Sequence, residues 1–277
     1  MGITQILTDP FLAPIVWRAL GVGTLVSLCA ALLGVTLVLK RFSMIGDGLS
    51  HVGFGTLAVA TLLGLAPEMQ MAFTLPAVTA VSFLLLHLTA KGRLKGDAAI
   101  AVLSSSAMAM GVILYHLMDG MTADACSSLF GSASVVTLTD GDLVLSIVLS
   151  LAVVGLFVLL YPRIFAVTFD ETFAAASGVG GMGYRAVLSL LTSVTVVVGM
   201  KMMGAVMISA LVIFPALIAM RLCKSFKGVV LCAAACSVVC FLIGFAVACA
   251  AGLPTGPCVV AVNLAVLVAV SFVVPKK

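Results

Sequence analysis

The sequence predicts an all-α integral membrane protein with about nine transmembrane helices, and three observations carry that expectation. Of its 277 residues 63% are hydrophobic and only 9% charged, where a soluble domain carries roughly 25% charged residues. Apolar runs close to the ~20 residues needed to cross a bilayer recur along the chain. Amphipathic alternation over short segments is absent, so helices and not a barrel satisfy the backbone in lipid.

The runs place spans at 15–39, 44–65, 71–90, 98–118, 143–161, 184–199, 203–220, 229–251 and 257–274. No basic region precedes the first run, and Asp9 lies ahead of it, so a cleaved leader is not expected. With Lys40-Arg41 set in the cytoplasm and sides counted alternately, Lys91, Arg93, Lys95, Arg163, Arg185, Arg221, Lys224, Lys227, Lys276 and Lys277 also fall inside. That puts 12 of the 14 basic residues on one face, with Arg18 and Lys201 as the exceptions, as the positive-inside rule requires. The N-terminus is then outside and the C-terminus inside. The stretch 184–220 is too long for one crossing, and both Arg185 and Arg221 belong inside, so a tight turn is expected within Gly199-Met200-Lys201-Met202-Met203-Gly204.

No linker, low-complexity stretch or repeat interrupts the sequence, so residues 1–277 are expected to form a single transmembrane domain in the cell (plasma or inner) membrane. Six of the ten carboxylates (Asp9, Glu68, Asp119, Asp124, Asp140 and Asp142) fall on the outer side. Such a mouth concentrates cations, although solvated loops also carry acids. The outer segment 119–142 is rich in Asp, Ser, Thr and Gly and has room for a short helix or re-entrant turn facing an extracellular partner.

One pair of residues stands out against the apolar background. Asp47 and His51, within Gly46-Asp47-Gly48-Leu49-Ser50-His51, are four apart and share a helix face. An ionisable residue at membrane depth is costly, by ~2.5–3.5 kcal/mol for an Asp at a helix centre on insertion scales. A carboxylate oxygen and an imidazole nitrogen together suit divalent transition metals. The pair reads as a cation site in a membrane passage; the competing reading is an intrahelical hydrogen bond that offsets burial.

The inner segment, about 162–184, is the longest cytoplasmic piece. Thr168 followed three residues later by Glu171 is a capping-box pattern. An alanine run follows, and Gly178 is placed to end the helix. Phe169 and Phe173 give that short helix an apolar face, and an exposed apolar face suggests a docking partner. The alternative is a helix lying on its own protein or on the lipid surface.

Taken together, these motifs resemble the permease subunits of ATP-binding-cassette importers for zinc and manganese. Lys40-Arg41 through Gly46-Asp47-Gly48-Leu49-Ser50-His51 is similar to that family's basic pair and Gly-Asp-x-Leu-Ser-His signature. Phe169-Asp170-Glu171 through Ser177-Gly178-Val179 is similar to its cytoplasmic coupling helix. Val206-Met207-Ile208-Ser209-Ala210-Leu211-Val212-Ile213-Phe214-Pro215-Ala216 resembles its late apolar segment, and Gly252-Leu253-Pro254-Thr255-Gly256-Pro257 its last outer turn. The likeness runs in order through almost the whole chain. It departs at Gly55-Thr56, where the family usually shows Pro-Gly.

The resemblance implies a type II importer permease that is not itself an enzyme and holds no permanent cofactor. Its cargo would be a divalent metal, Zn2+ or Mn2+ and possibly iron. Its partners would be a second permease copy (a homodimer or heterodimer), two cytoplasmic ATPase subunits, an extracellular or periplasmic metal-binding protein, and membrane lipid; no nucleic acid is expected. Asp47 and His51 would be the metal ligands, and Phe169, Asp170, Glu171, Phe173 and Gly178 would dock the ATPase. There is no G-x-x-x-x-G-K-[ST] sequence, so ATP would act only through the partner. The alternative is a proton-coupled secondary metal transporter in which Asp47 and His51 carry protons. An intramembrane hydrolase lacks a G-x-S-x-G elbow.

Other metal-capable residues read as packing. His87 and His116 each stand alone near a span end. Cys232, Cys236 and Cys240 share one helix face without a C-x-x-C pair, and cysteine behaves as a small hydrophobe in packed interiors. Met200, Met202, Met203 and Met207 surround the expected tight turn, where flexible thioethers fill gaps. Spacing does not settle whether Cys126 and Cys258 pair.

Overall fold

The computed structural model describes residues 13–40, 42–90, 96–118, 140–170, 174, 176 and 181–273. The described residues form ten helices: α1 (Ala13–Leu39), α2 (Ile45–Leu62), α3 (Pro67–Ala90), α4 (Gly96–Leu117), α5 (Asp140–Leu159), α6 (Tyr161–Phe169), α7 (Gly181–Met203), α8 (Ala205–Leu222), α9 (Phe226–Ala251) and α10 (Thr255–Val273). Seven of them are long and apolar enough to cross a bilayer, and the bent pair α5–α6 adds an eighth. The ninth crossing of the sequence reading is α2. Its 18 residues extend about 27 Å, close to the hydrocarbon thickness. Its polar content has a physical reason: α2 is packed inside the bundle and has little need of a lipid-compatible surface.

Two elements organise the packing. Helix α1 is the central post, packed on α5, α7, α8 and α9, with Val22, Val26, Ala30 and Leu33 buried. Helix α8 lies against it so closely that a Cβ added at Gly34 would collide with the carbonyl oxygen of Val212. Small residues permit such backbone contact where lipid supplies no hydrophobic drive between helices. Hydroxyls tie further pairs together. Ser237 on α9 donates to the Ser27 carbonyl on α1 at 2.9 Å, and the Thr79 and Ser193 hydroxyls bond across α3 and α7 at 2.7 Å.

The break between α7 and α8 falls at Gly204 (φ 89°), a left-handed conformation that glycine adopts freely. It ends the expected 199–204 turn, and α7 runs on to Met203. A Cβ at Gly199 would lie 2.5 Å from Ile208 Cδ1. Nine residues of straight helix would hold those positions about 13.5 Å apart, so the chain folds back on itself and makes two crossings.

Helices α5 and α6 meet at 69° across Leu160. Pro162, in the first turn of α6, has no N–H to continue the ladder and its ring crowds the preceding turn. The capping-box reading of Thr168 is corrected here. Thr168 sits in the last turn of α6, and its hydroxyl donates back to the Ile164 carbonyl at 2.6 Å. Asp170 is extended (φ −145°, ψ 99°), and its carbonyl accepts from Ala174 N at 3.1 Å. A threonine inside an apolar helix satisfies its hydroxyl on the carbonyl one turn back, and that option defeated the cap.

Gly34→Ala is expected to destabilise the purified permease by about 1–3 kcal/mol through overpacking. Gly155, with nothing within 4 Å of an added Cβ, should tolerate alanine without loss. Thermal midpoints of the two variants in detergent check this.

Candidate metal-passage site

Helix α2 is held on three sides by close contacts. A Cβ at Gly48 would lie 2.6 Å from Ile100 Cγ2, and one at Gly55 would lie 2.8 Å from the Ala107 carbonyl oxygen, both on α4. A Cβ at Gly53 would be 2.9 Å from Met200 Cε on α7, and one at Gly46 would touch Val212 on α8 at 3.4 Å. Gly55 is therefore where the α2 and α4 backbones meet, and α2 runs unbroken through it from Ile45 to Leu62. The kink that proline would impose is absent.

At about 100° per residue, Asp47 and His51 lie on the arc between the glycines facing α4 and Gly46 facing α8. His51 Nε2 is 3.4 Å from Asp47 Oδ1, with 14% of the histidine side chain and 35% of the aspartate side chain exposed. Further along the same arc Phe54 and Ala58 are fully buried, and Phe54 packs on Tyr115 with ring centroids 5.3 Å apart. Access is thus confined to the first turns of α2. Ser50 is buried and spends its hydroxyl on the Asp47 carbonyl at 2.8 Å. His51 Nδ1 is buried with no hydrogen-bond partner.

The separation of the two donors has chemical content. It is longer than the 2.7–3.2 Å typical of an N–H···O bond. Two ligands at ~2.0–2.2 Å from a tetrahedral ion stand about 3.4 Å apart. A 3.4 Å separation is thus of the size two ligands of one tetrahedral ion would have. Among the described residues no group of three or more His, Cys, Asp and Glu side chains is arranged to hold a metal ion.

The remaining candidates separate cleanly. His87 stacks on Phe83 at 5.8 Å, and His116 is exposed at the end of α4. Cys236 and Cys240 Sγ atoms touch at 3.8 Å. Met200, Met203 and Met207 are all buried in the main apolar core, as packing residues should be. Cys258 is buried, and Cys126 lies outside the described residues.

Of the five docking residues, Phe169 and Asp170 are described and both are exposed; Glu171, Phe173 and Gly178 lie outside the described residues. Phe169 pairs with Phe165 at 4.9 Å, and both rings pack on Phe226 at the start of α9, at 5.9 and 5.4 Å. Sequence reasoning missed Phe165 and Phe226. The four-residue spacing of Phe165 and Phe169 was a usable signal, but nothing local points to Phe226, some sixty positions away.

The fold defines a helical protein with multiple candidate membrane crossings. The chain belongs to the ABC-3 family (ABC 3 transport family), which matches residues 13–274. It is a permease subunit of an ABC transporter in the cell membrane, as the sequence motifs implied; membership does not favour the proton-coupled alternative. It is 30% identical over 238 residues to a Thermotoga maritima chain named as a probable metal transport system membrane protein, covering 86% of this chain and 82% of that one. It is 25% identical over 263 residues to the manganese import system permease protein ScaB of Streptococcus gordonii, covering 94% and 91%. The fold is similar to that of PsaBC from Streptococcus pneumoniae in complex with Fab, with a TM-score of 0.81 at 23% identity over 99% of this chain and 95% of that one.

Asp47→Cys should react with a water-soluble maleimide above the background of the native cysteines, while Ser50→Cys should not. Equal labelling of the two would show that the burial contrast along α2 does not define an aqueous route.

Proposed function

We propose that the chain is the translocation subunit of an ATP-driven importer of divalent transition metal ions, zinc or manganese, with Asp47 and His51 as its transient ligands. The observation that carries this reading is the 3.4 Å carboxylate–imidazole spacing on a helix buried among other spans. Membership of an ABC transport family and relatives named for metal and manganese transport point to the same cargo class. Iron belongs to that class too, because oxygen–nitrogen sites bind all three ions.

Two ligands are too few to hold a bare ion firmly. Among the described residues the arc bearing Asp47 and His51 is partly open, at 35% and 14% side-chain exposure, and a second permease copy related by a two-fold axis would close it. Two oxygens and two nitrogens would then complete four-coordinate zinc or, with water, six-coordinate manganese. A conduit must also release its ion, and ligands split between two chains separate when the chains rock apart.

The energy would come from two cytoplasmic ATPase subunits docked on residues 169–178, and the ion from an extracellular metal-binding protein. Phe169 is 62% exposed yet braced by Phe165 and Phe226, so a push on this surface reaches α6 and the start of α9 directly. The 69° elbow at Leu160 turns that push toward α5.

Asp47→Ala is expected to lower metal-dependent uptake more than tenfold with the complex still assembled; normal accumulation would remove the site assignment. His51→Ala should behave likewise. Glu171→Ala combined with Phe173→Ala should weaken co-purification of the ATPase and lower transport together. Unchanged association would show that the segment is a plain loop.

A further inference from the structure

Helix α9 carries Cys232, Cys236 and Cys240 at successive four-residue steps, so the three side chains share one face. The Sγ atoms of Cys236 and Cys240 meet at 3.8 Å. Cys240 is 2% exposed and Cys236 half-buried, so the pair is closed on one side and reachable from the other. A fourth thiol continues the row toward the start of α9. Cys223, between Arg221 and Lys224, shares a hydrogen bond with Cys232. Its Sγ lies over the first turn of α9, 3.6 Å from where a Cβ at Gly228 would stand.

We propose that Cys236 and Cys240 form a two-thiolate clamp for a soft, thiol-seeking divalent cation, of which Hg2+ is the type. The clamp stands apart from Asp47 and His51 and does not depend on the metal-passage reading. On binding, two S–H bonds break, two metal–sulfur bonds form and two protons leave, with no change of oxidation state. Donor softness and ligand number select the ion. Thiolates favour soft ions, while manganese prefers oxygen donors. Zinc in a closed site takes four ligands, and among the described residues no third His, Cys, Asp or Glu joins this pair to hold a metal. An ion content with two ligands in line is what remains. Charge narrows the choice further. Two thiolates cancel a divalent ion, whereas a monovalent one such as Cu+ leaves a net negative charge, which is costly at membrane depth.

Helix geometry decides between an ion and a disulfide. Side chains four apart hold their Cβ atoms about 5–6 Å apart, whereas a disulfide draws them to about 3.5–4.5 Å. Helix α9 is continuous from Phe226 to Ala251. Ser237, beside Cys236, donates to the Ser27 carbonyl at 2.9 Å and holds α9 on α1 at this level. The backbone is therefore fixed at a spacing too wide for an S–S bond. A linear ion asks for the opposite movement. Sulfurs ~2.3 Å to either side of it stand about 4.6 Å apart, so from 3.8 Å each moves outward by about 0.4 Å. Small side-chain rotations supply that. Cys223 and Cys232 extend the row to the polar end of α9 and give an arriving ion a sulfur at each step.

Titration of the full-length permease in detergent with mercuric chloride, under excess 2-mercaptoethanol as competing monothiol, tests the clamp. Native mass spectrometry should show one Hg2+ retained, and X-ray absorption should count two sulfur neighbours around it. Joining two ligands on one scaffold strengthens binding by about 100-fold or more, so Cys236→Ser and Cys240→Ser should each lower retention by at least about that factor. Cys223→Ser combined with Cys232→Ser should leave both the occupancy and the sulfur count unchanged. If Cys240→Ser, at the buried position, fails to fold as judged by its melting midpoint, Cys236→Ser at the half-buried one decides. Undiminished retention in folded Cys236→Ser would overturn the site. So would loss of retention in the Cys223 and Cys232 double variant, and a third sulfur neighbour would overturn the two-ligand assignment.

Discussion

A carboxylate and an imidazole set into the first two turns of α2 impose the constraint from which the rest of this structure follows. Neither group tolerates acyl chains, so the helix that carries them must be wrapped by other helices. Wrapping at this closeness demands small residues, and α2 supplies four glycines at the faces where α4, α7 and α8 press in. The same wrapping frees α2 from the apolar composition of a lipid-facing span. Its polarity, its glycines and its burial are one solution to one problem.

Around that helix the bundle divides its labour by exposure. Helices α1 and α8 are buried over most of their length, whereas α3, α4 and α10 present most of theirs to the surroundings. The buried pair meets backbone to backbone at Gly34 and Val212, so neither can shift without the other. A rigid centre with looser flanks is the arrangement a transport cycle needs, because rocking motions require elements that move as units. The hydroxyl bonds between α3 and α7 and between α9 and α1 add cross-links worth about 0.6 kcal/mol each in lipid. Such bonds fix register and break at small cost.

Much of this was legible in the chain. Apolar run length gave most of the spans. The i, i+4 spacing of Asp47 and His51 placed both donors on one face, where the structure brings them to 3.4 Å. What could not be read depended on partners distant in sequence. Phe226 completes an aromatic cluster with Phe165 and Phe169 because α9 begins beside the end of α6, a fact of topology with no local signature. Thr168 was misassigned because a threonine followed by Glu three residues on looks the same whether its hydroxyl caps the next helix or bonds back within the last one. The turn between α7 and α8 was placed within six residues, but only Gly204 takes the left-handed conformation, and two glycines bounded that stretch. Gly199, the other one, is used for close approach to Ile208 and not for turning.

The arc of α2 that carries Asp47 and His51 remains partly exposed. On the face toward α4, contacts at Gly48 and Gly55 leave no room for a methyl group. The arc bearing Asp47 and His51 stays open over its first turns and is sealed by Phe54 beyond. A monomer that buried these groups fully would gain stability by hiding them, at the expense of any route to the ion. On the proposed reading, two ligands from one chain would be too few to trap a cation. Completion by a second copy would make affinity a function of how the two chains sit together. Ion affinity and conformation would then be the same variable, which is the coupling that alternating access requires.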